Sequence, residues 1–164
     1  MNQRPIKIIF LACLIALLGL CGCTKVDLFE RIINVPQQEW KSGFKPVFRF
    51  TITDTTVPYQ LYIILRHNNK YNYNNLWLNL YTRGPGDTFA TKVAYELPLA
   101  TNDKGWLGSG MDDIFEHRIA LTPINNEFYF RKGGSYSFAL EHIMREDPLL
   151  NVLNIGLRIE KKAL

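Results

Sequence analysis

The sequence predicts an all-β fold: an antiparallel β-sandwich of about eight strands, jelly-roll or immunoglobulin-like in arrangement. Three observations lead there. Apolar residues recur at every second position in segment after segment, the period of a strand with one buried face. Turn-forming groups such as Gly84-Pro85-Gly86-Asp87 and Gly133-Gly134 fall between those segments. Eight Tyr, ten Phe and three Trp among 164 residues favour strands over helices.

The N-terminus follows a different logic. Arg4 and Lys7 precede an unbroken apolar run over 8–20, the n-region and h-region of a signal peptide. The run is shorter than the roughly 20 residues a helix needs to span a bilayer. It ends in Leu20-Cys21-Gly22-Cys23, an aliphatic residue at minus three and a small one at minus one before a cysteine, which resembles a bacterial lipobox. Residues 1–22 are therefore expected to be a lipoprotein signal peptide and Cys23 the lipidation site. That leaves 23–164 as a single sandwich domain behind a short tether. Each buried methylene contributes about 0.8 kcal/mol, so two or three acyl chains on Cys23 anchor the protein firmly to a membrane. Cys13 and Cys21 leave with the signal peptide, so the mature chain has no thiol for a disulfide, a metal or nucleophilic catalysis.

Without Arg4 and Lys7, the 19 basic residues fall to 17 against 15 acidic, a balance of +2. Basic residues are scattered except for Lys161-Lys162, which excludes the footprint of a nucleic-acid partner.

A first strand is expected over 26–34, ended by Pro36. From Val47 the alternation is clean, with Phe48, Phe50 and Ile52 on one side and Arg49, Thr51 and Thr53 on the other. After a turn over 54–58, Tyr59, Leu61, Ile63 and Leu65 resume the period. Residues 67–75 read as an Asn-rich loop. Leu76, Leu78 and Leu80 then alternate with Trp77, Asn79 and Tyr81, which sets aromatics opposite leucines. Val93, Tyr95 and Leu97 share a face in a strand over 89–97, and 102–110 reads as a glycine-punctuated loop around Trp106. Residues 112–121 and 137–146 contain good helix formers, yet Phe115, His117, Ile119 and Leu121, and then Tyr136, Phe138 and Leu140, keep strand parity. The last strand sets Leu153, Ile155, Leu157 and Ile159 against Asn154, Gly156, Arg158 and Glu160.

No catalytic set emerges. Asp112, Asp113, Glu116 and His117 lie close in sequence, but neighbours on a strand alternate faces, whereas glycoside hydrolysis needs two carboxylates across a cleft. His67, His117 and His142 lack metal-ligand spacing and are expected at surface or core-edge positions. No serine sits in a nucleophile elbow, and Gly133-Gly134 lacks the Lys and helix of a phosphate loop. No catalytic residue, metal or cofactor is expected. Tyr71, Tyr73, Trp77, Tyr81 and Trp106 could form a platform for sugar rings or a protein partner. Trp106 leads as the contact residue, with Tyr73 and Trp77 next; packing within the sandwich is the competing reading.

Several groups form a recognisable pattern in order: Asp54-Thr55, Tyr59, Tyr62, Arg66, the run Tyr71-Asn72-Tyr73-Asn74-Asn75-Leu76-Trp77, Leu97-Pro98-Leu99-Ala100, Gly105-Trp106-Leu107-Gly108, Met144-Arg145 and Gly156-Leu157-Arg158. Behind a lipobox, the chain resembles the gliding motility lipoprotein family GldH of the Bacteroidetes over nearly all of its mature length. One departure is Asp112, where the family pattern leads to a glycine. The resemblance implies a non-enzymatic cell-envelope lipoprotein required for gliding, linked to type IX secretion and working with other lipoproteins. It carries over no catalytic residue. The alternative is a lipid-anchored module that binds glycan or peptidoglycan, and a hydrolase ranks third. Thr24-Lys25-Val26-Asp27 is not a convincing surface-export signal, so the periplasmic face of the outer membrane is the expected location.

Overall fold

The computed structural model describes residues 28–122 and 125–162. The signal peptide, Cys23 and the first two residues expected in the first strand lie outside the described residues. Thirteen strands follow one another: β1 (Leu28–Asn34), β2 (Glu39–Trp40), β3 (Val47–Ile52), β4 (Tyr59–Asn68), β5 (Asn75–Arg83), β6 (Thr91–Pro98), β7 (Ala100–Thr101), β8 (Gly105–Trp106), β9 (Ser109–Met111), β10 (Ile114–Ala120), β11 (Gly134–His142), β12 (Leu149–Leu150) and β13 (Val152–Lys161). Eight of these have six residues or more, and with the three-residue β9 they make the two main sheets.

One sheet runs β1-β13-β4-β10-β9 and the other β3-β11-β5-β6, with every pairing antiparallel. The pairs β1 with β13, β3 with β11, β4 with β10 and β5 with β6 make one long two-stranded ribbon that turns back on itself at 84–87. Wrapping this ribbon adds the contacts β13 with β4 and β11 with β5, so the sandwich is a jelly roll. Both segments with helix-forming composition are strands, because their alternating faces bury more apolar surface here than a lone helix could.

Between the sheets lie Phe48 and Phe50 from β3, Leu61, Ile63 and Leu65 from β4, Leu76, Leu78 and Leu80 from β5, Phe138 and Leu140 from β11, and Ile155, Leu157 and Ile159 from β13. Fully burying a side chain of this kind stabilises by about 1.5–3 kcal/mol. In β13 the register shifts between Val152 and Asn154, so Val152 is fully buried and Leu153 only half-buried. Two expected loops contain strand. β4 continues through His67 to Asn68, and the glycine-rich segment around Trp106 forms β8, paired with β7, and then β9, paired with β10. Glycine content hid the second pairing; a strand ending in polar residues hid the first.

The two ends of the sandwich differ in content. At one end β1 begins: Leu28 pairs with Glu160, which pairs with Gln60. The turn 84–87 and residues 128–132 are also here. At the other end are the connection 69–74, the β7–β8 hairpin, the β9–β10 turn and residues 143–151.

Candidate functional site

Several segments of the sequence pattern, 71–77, 97–100, 105–108 and 144–145, meet at that second end, whereas Asp54, Thr55 and Tyr59 lie at the first. Leu99 and Ala100 donate their backbone N–H groups to the Asn74 carbonyl at 2.8 and 3.0 Å, and Leu107 N–H donates to the Leu99 carbonyl at 2.8 Å. Ile143 N–H reaches the Trp77 carbonyl at 2.9 Å, while Trp77 N–H points at Met144 Sδ, 3.2 Å away. Backbone bonds therefore hold four distant segments together. Gly108 explains one of its own motif's glycines: a Cβ there would lie 2.5 Å from the Glu116 carbonyl oxygen, so only glycine permits the approach to β10.

The five aromatics considered as a platform divide between inside and outside. Tyr71 is buried, its hydroxyl donating to the Asn75 carbonyl at 3.0 Å, and burial pushes its phenol upward in pKa. Trp106 is half-buried, with its ring centroid 4.4 Å from His67 and 5.6 Å from Phe115. Tyr73 donates to Glu146 Oε2 at 2.9 Å, and that bond to a carboxylate raises its pKa. Trp77 is 40% exposed on the outer side of β5. Tyr81 shares that outer side; Lys45 and Lys92 approach its ring, and its hydroxyl donates to Glu141. The Lys45 and Tyr81 hydrogen bonds lower the Glu141 carboxyl to about 2.

Sequence spacing missed a pair of histidines. All three histidines are buried rather than on the surface, and His67 Nε2 lies 2.9 Å from His117 Nε2. They are 50 residues apart, but β4 and β10 are neighbours, with His67 opposite Phe115 and His117 opposite Leu65. Parity was the available signal, since His117 shares a face with Phe115 and Ile119, and His67 continues the face of Leu65. His67 Nδ1 lies 2.7 Å from the Asn68 carbonyl, which can only accept, so Nδ1 carries the hydrogen. In the neutral ring His67 Nε2 then accepts from His117 Nε2–H. Burial holds both imidazoles below their ordinary pKa, His117 at about 4 with the His67 charge adding to the effect. His142 also sits in the core, edge-on to Trp40, and neither ring nitrogen has a hydrogen-bond partner among the described residues.

The acidic group of β10 is dispersed. Asp112 and Asp113 form the β9–β10 turn, Glu116 lies between Arg66 and Arg118 on the outer face, and His117 points inward. Among the described residues no group of three or more His, Cys, Asp or Glu could hold a metal ion. At this end, however, apolar side chains remain uncovered: Trp77, Leu107, Met111, Ile114, Ile143 and Leu150 are each 39–77% exposed.

The fold and this arrangement define a jelly-roll domain with exposed apolar side chains distributed over one end, Trp77 and Ile114 on the outer faces of opposite sheets. By sequence it belongs to the GldH lipoprotein family, whose model matches residues 27–159. It is therefore a member of a family of membrane-associated lipoproteins; among the described residues no helix is long and apolar enough to cross a membrane. It is 28% identical to the gliding motility lipoprotein GldH of Flavobacterium johnsoniae, over 91% of this chain and 94% of that one. Identity to the gliding motility lipoprotein GldH homolog of Christiangramia forsetii is 26%, over 85% and 87%. Among solved structures the chain is similar to a carbohydrate-binding module specific for non-crystalline cellulose, at a TM-score of 0.40 and 10% identity, covering 80% of this chain and 70% of that one. It is also similar to the VP2 subviral particle of infectious bursal disease virus, at 0.34 and 14%, covering 84% and 34%.

Proposed function

We propose that this chain is a non-enzymatic component of the gliding motility apparatus, linked to type IX secretion, that works by binding another envelope protein. In this reading Cys23 is acylated, residues 23–164 act as one domain, and the domain faces the periplasm from the outer membrane. The relatives' names support gliding motility. The observation that carries the contact reading is the gathering of six exposed large apolar side chains at the end opposite the start of β1, beside Trp106 and Tyr73. Six of the nine large apolar side chains exposed among the described residues are at this end, and interface energy concentrates in a few such groups. A sugar-binding platform needs several open ring faces, and of the five aromatics considered only Trp77 is substantially exposed.

The test is recovery of partners. The lipidated protein is captured from detergent-solubilised membranes and its partners are identified by mass. Leu107→Glu with Met111→Glu should abolish recovery of at least one envelope protein while the thermal midpoint stays within about 2 °C, because both side chains are already in water. Unchanged recovery with unchanged stability would sink the contact reading at this end.

A further inference from the structure

The other end of the sandwich contains a cleft of about 590 Å³ between the sheets, within the size range of small-molecule sites. Its walls are Leu61 from β4, Leu80 from β5, Val93 and Tyr95 from the edge strand β6, Phe138 from β11, and Phe128 and Phe130 from the preceding loop. Val93 lies on the core-facing side of β6, opposite Leu80, yet it is 43% exposed. The jelly roll is open there, and an apolar face meets solvent.

Cations outnumber carboxylates around the opening, two to one. Arg131 and Lys132 both line the cleft and are exposed, and neither has a carboxylate partner among the described residues. Asp87 also lines it; its carboxylate accepts the Gly84 N–H at 2.8 Å, which directs one oxygen to its own turn, and leaves a net charge of +1 from the three. An apolar channel with free cations at its mouth matches a molecule with a hydrocarbon tail and an anionic head.

The position of the cleft supplies the source. β1 starts at this end: Leu28 pairs with Glu160, Glu160 pairs with Gln60, and the Gln60 amide donates to the hydroxyl of Thr122, itself a wall residue. Four residues separate Leu28 from Cys23, and the five steps between their Cα atoms reach at most roughly 18 Å when extended. A chain acylated at Cys23 thus keeps Leu28 within that distance of the bilayer surface, where anionic acyl lipids are concentrated, and the cleft opens at the same end of the sandwich, two strands across from Leu28.

We propose that this cleft binds a single acyl chain ending in an anionic head, with the tail against Leu80, Val93, Phe128 and Phe138 and the head paired with Arg131 and Lys132. The supply of lipid rests on the anchor reading, while the partner contact at the opposite end is independent of it.

The test uses full-length protein in phosphatidylcholine vesicles, exposed in one arm to a diazirine-bearing myristate and in another to phosphatidylglycerol with the same diazirine in one acyl chain. Adducts are mapped by peptide mass spectrometry. Labelling is expected to concentrate on the cleft walls, to be blocked by Val93→Trp, and to fall roughly five-fold in Arg131→Ala/Lys132→Ala. Myristate labelling alone identifies a free fatty acid, and labelling in both arms identifies a lipid drawn from the bilayer. The Cys23→Ala protein should retain labelling by myristate added in solution, which separates failure of the anchor from failure of the site. Thermal melting of each variant confirms that it folds. Adducts spread evenly over exposed residues such as Phe89 and Met111, or labelling indifferent to both variants, would overturn the proposal.

Discussion

The His67–His117 pair makes the fold sensitive to acid. Each ring titrates near 6.5 in the unfolded chain but lower in the folded one, so acid puts protons on the unfolded state that the folded state resists. The pair's contribution is fully present above about pH 6.5 and is lost as the pH falls toward 4, where His117 titrates. For His117 alone the loss is on the order of 3 kcal/mol. Calorimetry should show a midpoint that is flat from pH 7 to 9 and declines from 6.5 to 4; a flat midpoint across the lower window would refute the assignment. His117→Gln should shrink that decline. Trp106 leans on the same pair, so Trp106→Ala is expected to lower stability by roughly 1–3 kcal/mol, read from urea unfolding. A midpoint that does not move, together with lost partner recovery, would instead make its exposed edge the working part.

At the scale of single elements, the β9–β10 hairpin gives a paired prediction. Asp112 and Asp113 sit at φ of 50° and 64°, the two positive-φ positions of a two-residue turn, where glycine is favoured. Asp is among the residues favoured at the first of these positions and glycine at the second, so Asp112 suits its place and Asp113 is the strained one. Asp113→Gly, which makes the favoured Asp-Gly pair, should raise stability by about 0.5–1 kcal/mol, whereas Gly108→Ala, four residues before Asp112, should lower it by more than 1 kcal/mol through its clash with β10. Equal thermal shifts for the two variants would contradict this account. The long strands were legible because alternation reports burial directly: Phe48, Phe50 and Ile52 are all buried, and Arg49 and Thr51 are exposed. Short pieces such as β8 were not, since two residues show no period. β4 kept its alternating face but also buries Gln60 and Ile64, because a central strand is covered on both sides.

For the whole molecule, the sequence predicted a sandwich but left two topologies open, since the choice depends on which strands pair and periodicity does not encode pairing. The same limit concealed the histidine pair and the gathering of the motif segments. The lipid attachment proposed for Cys23, by contrast, would be a local property of 20–23. Cys23→Ala should leave the precursor uncut and without radiolabelled fatty acid; normal incorporation would refute the lipobox. The antiparallel ribbon has one further consequence, a mechanical one. β1 starts at the end nearest the tether, and all seven of its residues are in register with β13. A pull on Leu28 away from the sandwich acts along the strand axis, at right angles to the hydrogen bonds that join the two strands. Those bonds are loaded in shear, all together, instead of being peeled apart one by one. Tension between a membrane tether and a partner held at the far end would therefore meet the strand geometry that resists force best.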